Sequence, residues 1–361
     1  MELLAPRQLA YDWDNVGLQL GDPRGTVEKI LVTLDIDERV LHEAISAGAD
    51  FIISHHPLIF RPLKALRTDL PVGRLIAAAL AAGIRIYAAH TNLDIADGGV
   101  NDILAAQLGL TRVKVLQVTG HENLEKIVVF VPDGYENPVR DAMAEAGAGW
   151  IGNYSHCFFQ AAGTGMFKPL EGSSPFLGEQ GRLERVNEFK LETIIPSSLR
   201  SRVIKAMIKA HPYEDVAYDT YPLCNQGKPY GLGRIGEISS PCSLEQFCEF
   251  IKEKLKLEEV HVTGDLSRVI KKVAVCGGSG GDLVHEASFS GADVLVTGDL
   301  KYHNALDART LDLAVIDAGH AATERVIVPA LCAYLRQKIH ESGFKCVVIH
   351  SAIETDPWKI K

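Results

Sequence analysis

The chain has 361 residues, of which 47% are hydrophobic and 23% charged, with a formal net charge of −9. That length predicts two or three domains with ample buried core, and the balance is that of a folded globular protein. The acidic excess argues against a broad nucleic-acid footprint, which needs a basic face. Apolar runs such as 75–82 are too short to span a bilayer.

The seven cysteines, with no CxxC and no regular framework, point to a reducing cytoplasm. The first residues carry neither the basic nor the apolar region of a signal peptide. In chain order, Trp13-Asp14-Asn15-Val16-Gly17-Leu18 comes first. Asp14 and Asn15 either face a substrate or brace a turn packed by Trp13. Residues 29–35 read as a buried strand, 38–47 as a helix closed by Gly48, and 50–54 as a second strand. A helix over 70–82, a strand over 84–89 and a helix over 100–108 follow. Strands alternating with helices predict a largely parallel α/β sheet.

Residues 124–235 break that rhythm. Their order, β-α-β-β-α-β, is ferredoxin-like. Residues 236–361 resume it, with strands at 271–276, 293–297 and 313–317, helices at 281–290 and 321–335, and a last strand at 344–350. The outer segments look duplicated: Val40-Leu-His-Glu-Ala-Ile-Ser-Ala-Gly-Ala-Asp50 repeats as Val284-His-Glu-Ala-Ser-Phe-Ser-Gly-Ala-Asp293. The expected organisation is one α/β domain made of 1–123 and 236–361, interrupted by a ferredoxin-like α+β insert over 124–235.

Ligand-type residues gather at the strand ends, where parallel sheets bind ligands. The first copy runs into Ser54-His55-His56-Pro57 and later His90-Thr-Asn-Leu-Asp94. The second runs into Thr297-Gly298-Asp299 and later His320-Ala-Ala-Thr-Glu324. His320 and Glu324, four apart at a helix start, share one face. The set His55, His56, Asp94, His320 and Glu324 mixes imidazole and carboxylate, which suits Zn, Fe, Mn, Co or Ni rather than Mg or Ca. Five ligands exceed one tetrahedral site. Two divalent ions sharing a carboxylate account for the surplus, and such pairs activate water against a phosphoryl or carbonyl group. His90 is either a further ligand or a hydrogen-bond partner that orients Asp94 or substrate. Asp299 and His303 are expected to border the cleft, with Lys301 stabilising negative charge there. His42, His121, His211, His285 and His350 read as ordinary polar residues. The glycine-rich run 276–281 is either an anion nest or a flexible turn, and it lacks the Lys-Ser/Thr of a P-loop.

These strings, in this order and across nearly the whole chain, resemble the NGG-interacting-factor-three-like dinuclear-metal family, the GTP cyclohydrolase 1 type 2 homologues. The insert, with His211-Pro-Tyr-Glu-Asp-Val-Ala-Tyr218, resembles CutA/PII-like modules of the longer bacterial members. The segment before Trp13 departs from the pattern, being short for the helix expected there. The resemblance implies a two-metal site at His55, His56, Asp94, His320 and Glu324, with Glu324 bridging, and a homohexamer built as a trimer of dimers. It implies a metal-dependent hydrolase, with GTP ring opening suggested by the family's name. Two rivals stand beside it. One is a non-catalytic metal-binding or regulatory hexamer, motivated by the insert. The other is a phosphoesterase of the histidinol-phosphatase type, against which the Gly-His-x3-Glu end and the insert both speak.

Overall fold

A computed structural model describes residues 1–359. The elements begin with β1 (Gly17–Leu20), β2 (Lys29–Thr33), α1 (Glu38–Ser46), β3 (Phe51–Ser54), α2 (Pro71–Ala81) and β4 (Arg85–Ala88). Next come α3 (Thr91–Ile95), α4 (Val100–Gln107), β5 (Thr111–Pro132), α5 (Glu136–Glu145), β6 (Phe158–Phe167), β7 (Glu184–Pro196), α6 (Arg200–Ala210) and β8 (Tyr218–Ser243). The chain continues through α7 (Leu244–Leu255), β9 (His261–Thr263), β10 (Val269–Ser279), α8 (Val284–Phe289), β11 (Val294–Gly298), α9 (Tyr302–Thr310) and β12 (Ala314–Asp317). It closes with α10 (His320–Glu324), α11 (Ile327–Glu341) and β13 (Val347–His350). No helix among the described residues is long and apolar enough to cross a membrane.

Two compact units result: residues 1–119 with 230–361, and residues 120–229. The expected insert, 124–235, differs from the second unit by four residues at its start and six at its end. The offset has a local cause. The chain passes between the units inside two long strands, β5 and β8, so no loop of distinctive composition marks either junction.

The first unit holds a sheet ordered β1-β4-β3-β2-β13 and a second ordered β5-β8-β10-β11-β12-β9. The expectation of largely parallel sheets needs correction: both are mixed. In the first, β4, β3, β2 and β13 are parallel while β1 runs antiparallel to β4. In the second, only β10, β11 and β12 are mutually parallel, and β8 and β9 flank them antiparallel. The central strands are apolar on both faces, so consecutive residues enter different cores. Leu31 and Ile52 pack on the side of α1 and α2, whereas Val32 and Ile53 pack against α11. Val275 and Val296 meet α7, while Ala274 and Leu295 meet α8 and α9.

Local signals explain the helix ends. Asp37 caps α1 by accepting from Val40 N at 2.8 Å, and Gly48, at φ +66°, closes it. Ser243 and Gln246 form a capping box on α7. The helix predicted over 321–335 is two helices, α10 and α11. The last strand also differs from expectation. β13 pairs with β2 of the first sheet, Val348 opposite Ile30, and does not join the sheet of the second copy.

The second unit follows the β-α-β-β-α-β order, with strands arranged β6-β7-β5-β8. Helices α5 and α6 pack on one face, burying Val139, Met143, Val203 and Met207 against Ile127, Val129 and Leu191.

Candidate metal centre

The side chains that converge in the first unit come from three places. β3 ends at Ser54, and its pairing continues one step further: His55 N donates to Thr33 O and His56 N to Leu34 O. The Ser54 hydroxyl then donates to His56 O at 2.7 Å, turning the chain so that both rings approach one site. Asp94 lies on α3, just after β4, with its carbonyl accepting from Asn101 Nδ2. His320 opens α10 after Gly319, whose φ of +81° permits the sharp strand-to-helix turn, and Glu324 follows one turn later.

Four imidazoles share one arrangement. Each Nδ1 donates to a fixed acceptor: His55 to Ala89 O at 2.8 Å, His56 to Asp35 at 2.7 Å, His90 to Asp14 at 2.9 Å and His320 to Asp299 at 2.7 Å. On a neutral ring that leaves each Nε2 with a lone pair, open to a proton or a cation. His56 Nε2 and His320 Nε2 lie 3.3 Å apart, and they stand 3.0 and 3.1 Å from Glu324 Oε2. His55 Nε2 is 3.6 Å from both Asp94 Oδ1 and Glu324 Oε1. These approaches are close but poorly aligned: His55 Nε2, Asp94 Oδ1 and Glu324 Oε2 are buried without a hydrogen bond. Unmet buried polar atoms cost about 1–3 kcal/mol each.

The donors form three overlapping groups, each able to hold a cation: His55, His56 and His90; His56, His320 and Glu324; His55, Asp94 and Glu324. Glu324 belongs to two of them. The donor chemistry and the unmet atoms therefore fit a pair of divalent cations.

The electrostatics match. Burial alone would lower the His56 pKa, but the hydrogen bond to Asp35 and the adjacent Glu324 carboxylate carry it up to about 10. Glu324 and Asp299 raise His320 to about 9 against a smaller effect of burial. Burial pushes Asp94 up to about 6. Glu324 is also buried, yet the surrounding imidazoles hold its carboxyl well below the usual range. Asp14, despite burial, is lowered to about 2 by His90 and Thr91. Protons and cations thus compete for the same nitrogen atoms.

The glycines around Glu324 provide space. A Cβ on Gly278 would stand 2.1 Å from Glu324 Oε1, and Gly278 itself sits at φ +65°. The run 276–281 is not an anion nest. Gly277 N donates to Asn101, Gly278 N to Thr323 and Gly280 N to Thr297, so those amides are already engaged.

Other expected residues fall as follows. Asp14 braces His90 and accepts from Thr91 N. Asn15 points elsewhere, donating to Ile59 O, because it ties the loop after β3 to the N-terminal segment. Asp299 supports His320. Lys301 and His303 are at the start of α9, where His303 packs edge-on against Tyr302, and neither joins the cluster. Asp35 escaped the sequence reading. It follows β2 and accepts from both His56 and Thr355, a long-range pairing with no local motif. The aromatic wall beside His90 was also missed as a unit: Trp13 stacks on Tyr11, and Trp13 and Phe60 stand edge-on to His90.

A family model described as Duf34/NIF3 (NGG1p interacting factor 3) matches residues 1–357. The chain belongs to the Duf34/NIF3 family. It is 47% identical over 357 residues to a Bacillus subtilis (strain 168) protein named GTP cyclohydrolase 1 type 2 homolog, a match covering 99% of this chain and 95% of that one. A Listeria innocua protein of the same name is 40% identical over 364 residues, with 99% and 96% covered. Among solved structures, a Bacillus cereus protein related to NIF3 superposes with a TM-score of 0.92 at 47% identity, covering 100% of this chain and 96% of that one. Staphylococcus aureus protein SA1388 gives 0.74 at 32% identity, with 100% and 96% covered. The shared NIF3 fold extends over both compact units of this chain.

Proposed function

We propose that this NIF3-family chain is a two-metal hydrolase acting on a nucleotide-like or cyclic-amide substrate. The observation that carries this reading is the set of four imidazoles, each fixed through Nδ1, turned toward two buried carboxylates. His55, His56, Asp94, His320 and Glu324 would hold the cations, with Glu324 shared between them and His90 adjacent. Bound there, two divalent cations supply Lewis acidity, which polarises a phosphoryl or carbonyl oxygen and makes water nucleophilic near neutral pH.

The chain's own residues do the positioning. Asp14, Asp35, Asp299 and the Ala89 carbonyl fix ring orientation, which raises imidazole basicity and spares the site reorganisation on binding. Trp13, 60% exposed, and Phe60 offer apolar faces to a planar ring beside His90. Such faces favour a heterocyclic substrate over a simple phosphate ester. The relatives' name, GTP cyclohydrolase 1 type 2 homolog, makes GTP the first compound to try.

The proposed assembly is a homohexamer, a trimer of dimers. An apolar groove in the first unit, including Val27, Phe51, Leu335 and Phe344, supports a subunit contact. Light scattering on the purified protein measures it.

The deciding experiment is elemental analysis of purified protein, followed by turnover assays with GTP and cyclic amides in Zn, Fe, Mn, Co and Ni forms. Two ions per chain and turnover in at least one form are expected. Two ions with no turnover in any form would replace this reading with a non-catalytic metal-binding one.

A further inference from the structure

The insert covers one face of its sheet with α5 and α6. Alternate side chains of β6 and β7 point to the opposite face, where a cavity of 760 Å³ opens. Its floor carries a buried acid. Glu188, on β7 opposite Gly163, is only 8% exposed. Gly165 lies two residues along the same face. A Cβ there would stand 2.1 Å from Glu188 Oε2. Gly165 is not among the residues of positive φ, so a side chain there would displace the Glu188 carboxylate without straining the backbone.

The other carboxylate oxygen is held. The Tyr213 hydroxyl donates to Glu188 Oε1 at 3.0 Å. His211 aims that tyrosine: its Nε2 donates to Phe130 O at 2.9 Å, and its Nδ1 accepts from Tyr213 N at 3.1 Å. Burial and the neighbouring Glu188 both raise the Tyr213 pKa, so the phenol keeps its proton and remains a donor. The His211-Pro-Tyr string therefore acts as a brace for one buried carboxylate. Around it, the rings of Phe167 and Phe176 lie 6.0 and 6.2 Å from that of Tyr213.

We propose that this cavity binds an organic cation, a protonated amine on an apolar body. A carboxylate set in an apolar pocket is best met by a charge-assisted hydrogen bond. Aromatic faces attract the same cation and exclude water from it. Glu214 and Asp215 add negative charge at the mouth. Of the two lining lysines, Lys168 is exposed, and Lys190 is engaged by Glu192 at 2.7 Å. An anion meets opposition here. All the residues involved lie within 120–229, so the site shares no side chain with the proposed metal centre.

The test is calorimetry on the full chain with three indoles of one shape: tryptamine, indole-3-ethanol and indole-3-acetate. Tryptamine should bind saturably, about tenfold tighter than the alcohol, with the acetate weakest, because only the amine makes the charged hydrogen bond. Glu188→Gln should erase the preference for the amine. Tyr213→Phe should weaken tryptamine several-fold, and Gly165→Val should abolish its binding, both with metal content unchanged. Equal binding of amine and alcohol, no saturable tryptamine binding, or a preference that survives Glu188→Gln would overturn the proposal. So would a change in molar mass on Gly165→Val without tryptamine binding to the parent chain, since a second copy would then be the occupant.

Discussion

The two copies within the first unit share their scaffold bonds and differ at their strand ends. In the first copy, Asp50 accepts from Lys29 N at 2.9 Å, and Lys29 Nζ donates to Ala47 O at 2.6 Å. In the second, Asp293 accepts from Lys272 N at 2.7 Å, and Lys272 Nζ donates to Ser290 O at 2.6 Å. At the ends of β3 and β11 the likeness stops. Where the first copy has His55 and His56, the second has Gly298 and Asp299. Gly298 leaves room for the backbone of His320, to which a Cβ would come within 2.5 Å. Asp299, at φ +51°, orients His320. The β3 end supplies proposed ligands, and the β11 end supplies space and support for His320. A repeated fold thus builds one asymmetric centre, because the scaffold bonds constrain the strands and leave their ends free to diverge.

The asymmetric centre depends most on Glu324, the side chain that three of the four imidazoles approach. Glu324→Gln should reduce metal content from the proposed two ions per chain to one or none. Elemental analysis showing two retained ions would remove Glu324 from the bridging role. A smaller loss should follow at the supports. Asp35→Asn, serving the first copy, and Asp299→Asn, serving the second, should each weaken metal affinity by about 10–100-fold without abolishing it. Competition with a chromophoric chelator measures both. If one variant has no effect, the parallel between the supports fails.

Acidity should separate the metal-free protein from one loaded with the proposed cations. His56 and His320 are raised to about 10 and about 9. Their contribution to the stability of the chelated protein is full below the unfolded value of about 6.5 and is lost as pH rises through 9 and 10. Asp94, raised to about 6, acts in the same direction between about 4 and 6. Metal requires the unprotonated donors, so its stabilisation grows with pH. Melting curves with and without chelator should therefore diverge from pH 6 to pH 9, and parallel curves would contradict the shared-donor picture. The smallest effect concerns the scaffold. Lys29→Met and Lys272→Met should each cost about 1 kcal/mol in denaturant unfolding. A several-fold difference between them would show that the two copies are not mechanically equivalent.

The sequence exposed the centre because its donors sit in compact strings. His55-His56-Pro57 and the two His-x3-acid ends are local patterns at predicted strand ends. Asp35 was not legible, since its role depends on a parallel register that brings β2 beside β3. Asp14 and Asn15 are neighbours in sequence, yet their side chains reach different partners, His90 and Ile59 O, which no local pattern distinguishes. Part of the mixed character of the sheets was hidden in short edge strands, and the rest in the long strand β8, which enters from the other unit's residues and runs antiparallel to β10. β1 is four residues long and β9 three, too brief for periodicity to reveal. The two helices at 320–341 share one continuous apolar pattern, which gave no sign of the break after Glu324. The place of β13 rests on pairing across more than three hundred residues, beyond any window of sequence.

That pairing has a consequence for the order in which the protein matures. β2 exits the ribosome early, yet one of its edges stays open until residue 350 has been made. His320 and Glu324 also emerge only in the last stretch of synthesis. Residues 120–229 form their own core and can collapse well before then. Acquisition of the proposed metals would consequently be a late event, and a truncated translation product would display His55, His56 and Asp94 without the side chains that complete their charge balance.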